Sequence, residues 1–146
     1  MPLSEPVVTP SFFARSTSAV QFTTAPITVV WGSIELNNMP GLFEHNAGFV
    51  TPTRSGLFYV AVDLITSRTS GNTSEVEHWI ELDGVEVLGS TAVTTHADSS
   101  RRRTSSSKAL VQVFSGQVIC ARVVRSAGTG GLQVDMDSRI IVQKVG

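Results

Sequence analysis

The residues with the clearest potential for chemistry are carboxylates that alternate along one segment. Glu75, Glu77, Glu81 and Asp83 occupy one phase of a period-two pattern. Carboxylate oxygens bind hard cations such as Ca²⁺, but side chains two residues apart on a strand lie about 7 Å apart, too far for one ion to bridge without other ligands. We therefore interpret the segment as a solvated strand face. An acidic stripe that binds cations is the alternative, and a cation at the similarly alternating Asp135-Met-Asp137 is a further one.

Histidine, cysteine and serine patterns favour neither a metal centre nor a nucleophile. His45, His78 and His96 show no His-x-His or His-x₃-His spacing, and the single cysteine supplies no zinc pair. Cys120 lies in an apolar run, where burial raises the pKa of a thiol, and no serine stands in a Gly-x-Ser-x-Gly elbow. The sequence therefore predicts a protein that is not an enzyme and that holds no metal or cofactor.

The most polar segment, residues 98–108, contains three consecutive arginines, Arg101, Arg102 and Arg103. Guanidinium groups bind phosphate and carboxylate bidentately, so this segment is either a grip for an anionic partner or a solvated loop. The net charge of −1 and the lack of neighbouring aromatic residues argue against nucleic acid as the partner.

The elements that position these groups are predicted to be strands. The 146 residues suffice for one domain, and apolar residues recur with period two rather than 3.6. The pattern predicts an all-β sandwich. The predicted strands are Ser11–Val20, Ile27–Leu36, Gly48–Thr51, Leu57–Thr66, Glu75–Asp83, Val85–Thr94, Ser107–Phe114, Gln117–Val124 and Leu132–Val145.

Two glycine-containing turns are predicted to close two-residue hairpins. Asp83-Gly84 and Ser115-Gly116 each separate two strand-like runs, and glycine supplies the positive φ that such turns require. Two runs, Leu57–Leu64 and Val118–Val124, are apolar in both phases. An apolar outer face needs a second protein surface, and another copy of the chain is the economical source, so we expect an oligomer.

The first ten residues form a different region. All six prolines lie in the first 52 residues, and three of them fall within Met1–Pro10, which we interpret as an extended arm. The arm is either a disordered tail or a strap across a neighbouring surface. It resembles no secretory leader, and no run of 18 apolar residues follows, so we expect no signal peptide and no membrane span.

Several segments together resemble the C1q/TNF-like jelly-roll family. In order along the chain they are Ser11-Phe-Phe-Ala-Arg-Ser-Thr17, Ile34-Glu-Leu-Asn-Asn38, Gly48-Phe-Val-Thr-Pro52, Ser55-Gly-Leu-Phe-Tyr-Val60, Ile80-Glu-Leu-Asp-Gly-Val-Glu-Val87 and Leu110-Val-Gln-Val-Phe-Ser-Gly-Gln-Val118. Gln117 departs from the usual Asp of the family. The resemblance implies a jelly-roll β-sandwich that forms a homotrimer and serves in binding or scaffolding. Versions without a collagen-like stalk resemble those of bacteria and bacteriophages.

We therefore expect an arm over residues 1–10 and a jelly-roll domain over 11–146 that decorates and cements a bacteriophage capsid, located on the virion. Its partners would be two further copies and the major capsid protein or another virion protein, not nucleic acid or membrane. A receptor- or glycan-binding module is the alternative. The expected core and trimer interface is Phe58, Tyr59, Val60, Val62, Ile119, Ala121 and Val123. The expected partner-binding residues are Leu3, Val7, Val8, Phe12, Phe13, Arg101, Arg102 and Arg103.

Overall fold

The computed structural model describes residues 8–98 and 101–146 of the chain. These residues contain fourteen strands and no helix that could cross a membrane. The strands are β1 (Ser11–Arg15), β2 (Val20–Phe22), β3 (Ile27–Thr28), β4 (Ser33–Asn37), β5 (Phe43–Asn46), β6 (Phe49–Pro52), β7 (Gly56–Ser70), β8 (Ser74–Leu82), β9 (Val85–Glu86), β10 (Ala92–His96), β11 (Arg102–Val113), β12 (Ile119–Gly128), β13 (Gly131–Val134) and β14 (Arg139–Lys144).

The strands form two antiparallel sheets that pack as a sandwich, which confirms the predicted fold class. Sheet A has the order β2-β13-β7-β14-β1-β4, with β11 along the other side of β7. Sheet B has the order β10-β8-β12-β6-β5, with β3 beside β12 and β9 beside β8. The long β7 connects the two ends of sheet A, because β14 pairs with its first half and β13 with its second.

The core lies between the sheets and follows the alternation of β7 and β12. Phe58, Val60 and Val62 are fully buried on the inner side of β7, and Ile119, Ala121 and Val123 meet them from β12. All six belong to the set predicted for the core and trimer interface. Tyr59, the seventh, is half-buried on the opposite side of β7. The structure therefore places six of these residues inside one chain and one residue on its surface.

One of the two predicted hairpins is present. Asp83 and Gly84 both have positive φ, 51° and 78°, and Leu82 pairs directly with Val85, as a two-residue primed turn requires. The hairpin predicted at Ser115-Gly116 is wrong. A tight turn does occur there, closed by a hydrogen bond from the Gln117 N–H to the Phe114 carbonyl oxygen at 3.0 Å. Its flanking strands diverge, because β11 pairs with β7 in sheet A while β12 pairs with β8 in sheet B.

Several strand boundaries differ from the prediction. β11 begins at Arg102 and β7 continues to Ser70, although both segments are rich in polar residues that favour loops. They form strands because Arg102 pairs with Ser67 across the sheet, and backbone pairing does not depend on apolar side chains. The predicted Leu132–Val145 strand is interrupted, since the Ser138 hydroxyl donates to the Asp135 carbonyl oxygen at 3.0 Å and the backbone turns.

Candidate functional site

The outer face of sheet A carries an apolar patch near the start of β7. We define the apolar patch as Phe13, Leu36, Tyr59, Ala61, Leu110 and Ile141. Strand pairing places Leu36, Phe13, Ile141 and Ala61 in one row across four strands. Tyr59 pairs with Leu110, whose side chain is 62% exposed. Contiguous exposed apolar surface of this kind is typical of a protein–protein contact.

Farther along β7, the same face becomes charged, and four of its charged side chains are paired within the chain. The Asp63 carboxylate accepts a hydrogen bond from the Ser106 hydroxyl at 2.6 Å and lies 3.4 Å from a guanidinium nitrogen of Arg139. Arg15 contacts Glu35 at 2.5 Å, and this hydrogen bond lowers the pKa of the Glu35 carboxyl. Charges that are paired internally can be covered by a second protein without leaving an orphaned ion.

The second strand predicted to need an external cover, β12, is covered by the chain itself. Cys120 is 5% exposed although it lies on the outer side of sheet B, beside the β5–β6 hairpin of the same sheet. Burial raises the pKa of the Cys120 thiol to about 11, as the apolar run predicts, so the thiol stays protonated.

A groove of about 740 Å³ opens beside this hairpin. Its walls come from β3, β5, β6, β8 and β12 and from the Asp83-Gly84 turn. Arg122 donates a hydrogen bond to the Thr28 hydroxyl at 2.9 Å, and its Nε lies 3.6 Å from the Glu81 carboxylate. Phe49 is 41% exposed at the rim. The groove thus combines carboxylate, guanidinium, hydroxyl and one aromatic ring, a set the sequence analysis did not bring together.

Two carboxylates of the acidic segment of β8 have hydrogen-bond partners within the chain. The Glu81 carboxylate accepts a hydrogen bond from the Trp79 indole N–H at 2.8 Å, and Glu75 accepts one from the Ser126 hydroxyl at 2.8 Å. Asp135 and Asp137 diverge, because Asp137 contacts Arg15 and Asp135 lies near Arg102. Across residues 8–98 and 101–146, no three His, Cys, Asp or Glu side chains are grouped to hold a metal ion.

The arm enters the domain beside the C-terminus. Asn38 fixes it, accepting a hydrogen bond from the Ser11 N–H at 2.8 Å and donating one to the Thr9 carbonyl oxygen at 3.0 Å. Val8 is 62% exposed, whereas Leu3 and Val7 lie outside the described residues. The two aromatic residues proposed for docking are part of the domain.

Phe12 is fully buried in the core and packs on Phe43, with ring centroids 6.0 Å apart. It is therefore unable to contact a partner without unfolding β1, and its assignment to partner binding is corrected. Phe13 belongs to the apolar patch, where it pairs with Leu36 and Ile141.

Arg101, Arg102 and Arg103 lie at the opposite end of the sandwich from the arm. All three are exposed, and Arg102 and Arg103 are the first residues of β11, not part of a loop. At the arm end, Lys144 pairs with Phe58 of β7 and its N–H donates a hydrogen bond to the Pro10 carbonyl oxygen. At the other end, Arg102 pairs with Ser67 of β7. At ~3.3 Å per residue these levels are about 30 Å apart. The arm and the arginines therefore face different surroundings.

Two of the histidines are buried within the sandwich. His78 is 1% exposed, and neither of its ring nitrogens has a hydrogen-bond partner in the described part of the chain. Burial lowers the pKa of His78 to about 4. His96 is fully buried, and one of its ring nitrogens lies 2.8 Å from the Thr66 hydroxyl. Burial, followed by the charge of Arg103, lowers the pKa of His96.

Solved structures with the same arrangement of strands identify the fold. No protein-family model and no curated protein matches the chain. Murine APRIL at pH 5.0 is similar with a TM-score of 0.70 and 10% identity over 94% of this chain and 100% of that one. The fold is the TNF/C1q-like jelly roll.

Two further jelly rolls agree. The globular domain of zebrafish complement 1qA protein has a TM-score of 0.68 and 12% identity, covering 95% of this chain and 98% of that one. Eiger TNF from S. frugiperda has a TM-score of 0.59 and 12% identity, covering 94% and 93%. At such identities the likeness establishes the fold and leaves the function to the surface features of this chain.

Proposed function

We propose that this jelly roll is a non-enzymatic structural protein that assembles as a homotrimer through the outer face of sheet A and decorates a bacteriophage capsid. The apolar patch is the observation that carries the proposal. A monomer would leave Leu110 and Leu36 62% and 47% exposed beside Tyr59 and Phe13. A second copy presenting the same face buries this surface, and the C1q/TNF resemblance favours a three-fold arrangement.

The position of the arm supports attachment at one end of the trimer. Strands β1, β14 and β7 run side by side, so three copies packed through sheet A would present three arms at the same end. An extended segment with exposed apolar residues such as Val8 gains a surface to bury when it lies on a neighbouring protein. A capsid shell, on whose outer surface the virion protein would sit, is the partner we propose for this end.

Deleting Met1–Pro10 is expected to leave the trimer intact and abolish binding to capsids stripped of this protein. The deletion removes the strap but leaves β1, which begins at Ser11, and the apolar patch in place. Co-sedimentation with capsids measures attachment, and light scattering measures the assembly. The matched control replaces Arg101, Arg102 and Arg103 with Gln at the other end and should keep binding. Attachment that survives the deletion and is lost in the arginine control would contradict the arm as the strap.

The groove favours a second candidate, a glycan-binding module. Carboxylates that accept hydrogen bonds and a guanidinium that donates them suit the hydroxyls of a neutral sugar, which need both donors and acceptors. The exposed aromatic ring suits the C–H face of the sugar. Glu81, Arg122 and Phe49 supply these groups from three strands. The volume of about 740 Å³ lies within the range of small-molecule sites.

If the groove binds glycans, a neutral oligosaccharide should shift the backbone NMR signals of Phe49, Cys120 and Arg122. Phe49→Ala should weaken that binding about tenfold, as expected for loss of a stacking contact worth ~1.4 kcal/mol. Phe114→Ala is the control, because Phe114 is also exposed but lies outside the groove. Equal weakening by both substitutions, or no shift in the groove across a panel of neutral oligosaccharides, would remove this candidate.

A further inference from the structure

We propose that the end of the sandwich opposite the arm contains a binding site for a tetrahedral oxyanion, phosphate or sulfate. The site is formed by the arginine cluster, which we define as Arg68, Arg103 and Arg125. Its existence does not depend on trimer formation or on capsid binding, because one chain supplies all three side chains.

Arg68 is the residue that requires explanation. It continues the inward-facing row of β7 after Leu64 and Thr66, and it is 9% exposed. Among the described residues, its Nε has no hydrogen-bond partner. No carboxylate oxygen of these residues lies within 4.0 Å of an Arg68 guanidinium nitrogen, the distance that defines an ion pair. A guanidinium stays charged at any physiological pH, so burying it without a counter-charge is costly. An anion at this end would remove that cost.

A second arginine of sheet A faces the same space. Arg103 pairs directly with Thr66, and directly paired residues lie on the same side of a sheet. The Thr66 hydroxyl lies 2.8 Å from a ring nitrogen of His96, which joins the sandwich from sheet B. Burial is the largest cause that lowers the pKa of His96, and the positive charges of Arg103 and Arg68 lower it further.

The third arginine comes from the opposite sheet. Arg125 pairs with the buried Val76, so its side chain starts on the inner side of sheet B. One guanidinium nitrogen donates to the Gly130 carbonyl oxygen at 3.0 Å, but its buried Nε has no partner in the described chain. Cations from both sheets therefore start on the inner side of the sandwich toward the same end, each with unused donors.

The carboxylates nearby are too few to neutralise the cluster. Asp135 is the carboxylate that acts on His96, where it raises the pKa against the arginines. One of its oxygens accepts a hydrogen bond from the Gln133 amide at 2.7 Å, and the other lies 3.6 Å from Arg102, which is outside the cluster. Asp98 is exposed and forms no ion pair with a described residue.

Phosphate and sulfate match what the cluster offers. Their oxygens accept two parallel hydrogen bonds from one guanidinium fork and still have acceptors for a second and a third. The Thr66 hydroxyl and the His96 ring add neutral hydrogen-bonding groups on one side. A single chloride ion could offset charge, but it would not use the separate donors of three arginines. The oxyanion is therefore the occupant that the geometry favours.

The test is thermal unfolding and calorimetric titration of the whole protein with sodium phosphate, sodium sulfate and sodium chloride at equal ionic strength. Phosphate or sulfate should raise the unfolding temperature and bind with one site per chain, whereas chloride should do neither. Arg68→Met keeps the volume and removes the charge. We expect it to weaken oxyanion binding at least tenfold and, without oxyanion, to unfold at no lower temperature than the original protein.

Arg54→Met is the matched control, because Arg54 is exposed and lies far from the cluster on the segment after β6. It should bind phosphate as the original protein does. Backbone NMR gives an independent readout, with the largest phosphate-induced shifts expected at Thr66, His96 and Gly130. Phosphate binding that is the same in Arg68→Met, shifts that fall elsewhere, or no response beyond that to chloride would each overturn the proposal.

Discussion

Leu110→Asp is expected to convert the proposed trimer into a folded single chain. Leu110 lies on the outer face of sheet A opposite Tyr59, so its removal takes nothing from the core. In the trimer the new carboxylate would be buried at the interface, which costs roughly 3–5 kcal/mol per chain where no cation pairs with it. Three such charges around one axis would also repel each other. Light scattering at several protein concentrations measures the mass, and circular dichroism checks that the sandwich is intact.

Leu88→Asp is the matched control for this substitution. Leu88 is 97% exposed and lies in the segment between β9 and β10, away from the apolar patch. The same loss of a leucine and gain of a carboxylate there should leave the mass unchanged. A Leu110→Asp protein that still has the mass of the original particle would contradict the assignment of this face to the subunit interface.

Acid is expected to destabilise the protein by about 3 kcal/mol through His78. Its pKa is lowered to about 4 in the folded protein, against 6.5 for an unperturbed histidine, because the ring is buried. Between these values the unfolded chain binds a proton that the folded chain does not. The free energy of unfolding should therefore fall as pH decreases from about 6.5 to about 4 and then level off with respect to this group. A pKa difference of this size corresponds to ~3 kcal/mol in the free energy of unfolding.

Other groups near His78 also affect the pH dependence of stability. The Ser105 backbone and the Asp63 charge oppose the effect of burial on the His78 pKa without cancelling it, and His96 contributes in the same direction as His78. Between pH 7 and pH 4, the free energy of unfolding should fall by about 3 kcal/mol less in His78→Leu than in the original protein. Urea unfolding at fixed protein concentration over this pH range measures the difference. Identical pH dependence in the two proteins would show that His78 is not the group responsible.

The alternation of β7 shows how much of the fold is accessible from sequence. Phe58, Val60 and Val62 could be assigned to the core because apolar residues at every second position of a strand all lie on the same face. The same reasoning identified an outer face that needs a cover, and Tyr59 lies on it. The apolar run around Cys120 gave the same signal, but there the outer side is buried within the chain itself. The local pattern indicates that a face is covered, but it does not indicate what covers it.

The register between distant strands could not be predicted from the sequence. The polar start of β11 is a strand because it lies beside Ser67 of β7, and the Ser115-Gly116 turn joins two sheets because β12 pairs elsewhere. The arginine cluster depends on the same long-range pairing, since Arg68, Arg103 and Arg125 are far apart in sequence. One signal was present: Arg68 stands in phase with the buried residues of β7, a charge where a core residue is expected.

The position of the arm likewise became meaningful only with the strands in place. The sequence indicated two candidate contact regions, the arm and Arg101–Arg103. Their separation by about 30 Å along β7 assigns them to opposite ends of the sandwich. A trimer built through sheet A would therefore present the arm at one end and the arginines at the other.

The most direct test of the proposed function is the solution mass of the purified full-length protein by light scattering, with and without a chelator. A mass of three times 15.6 kDa that persists on dilution and in the presence of the chelator is the predicted result. It would show that three copies assemble without the help of a metal ion, as the apolar patch on the outer face of sheet A predicts. A stable mass of one chain would contradict the trimer and leave the apolar patch without its proposed cover.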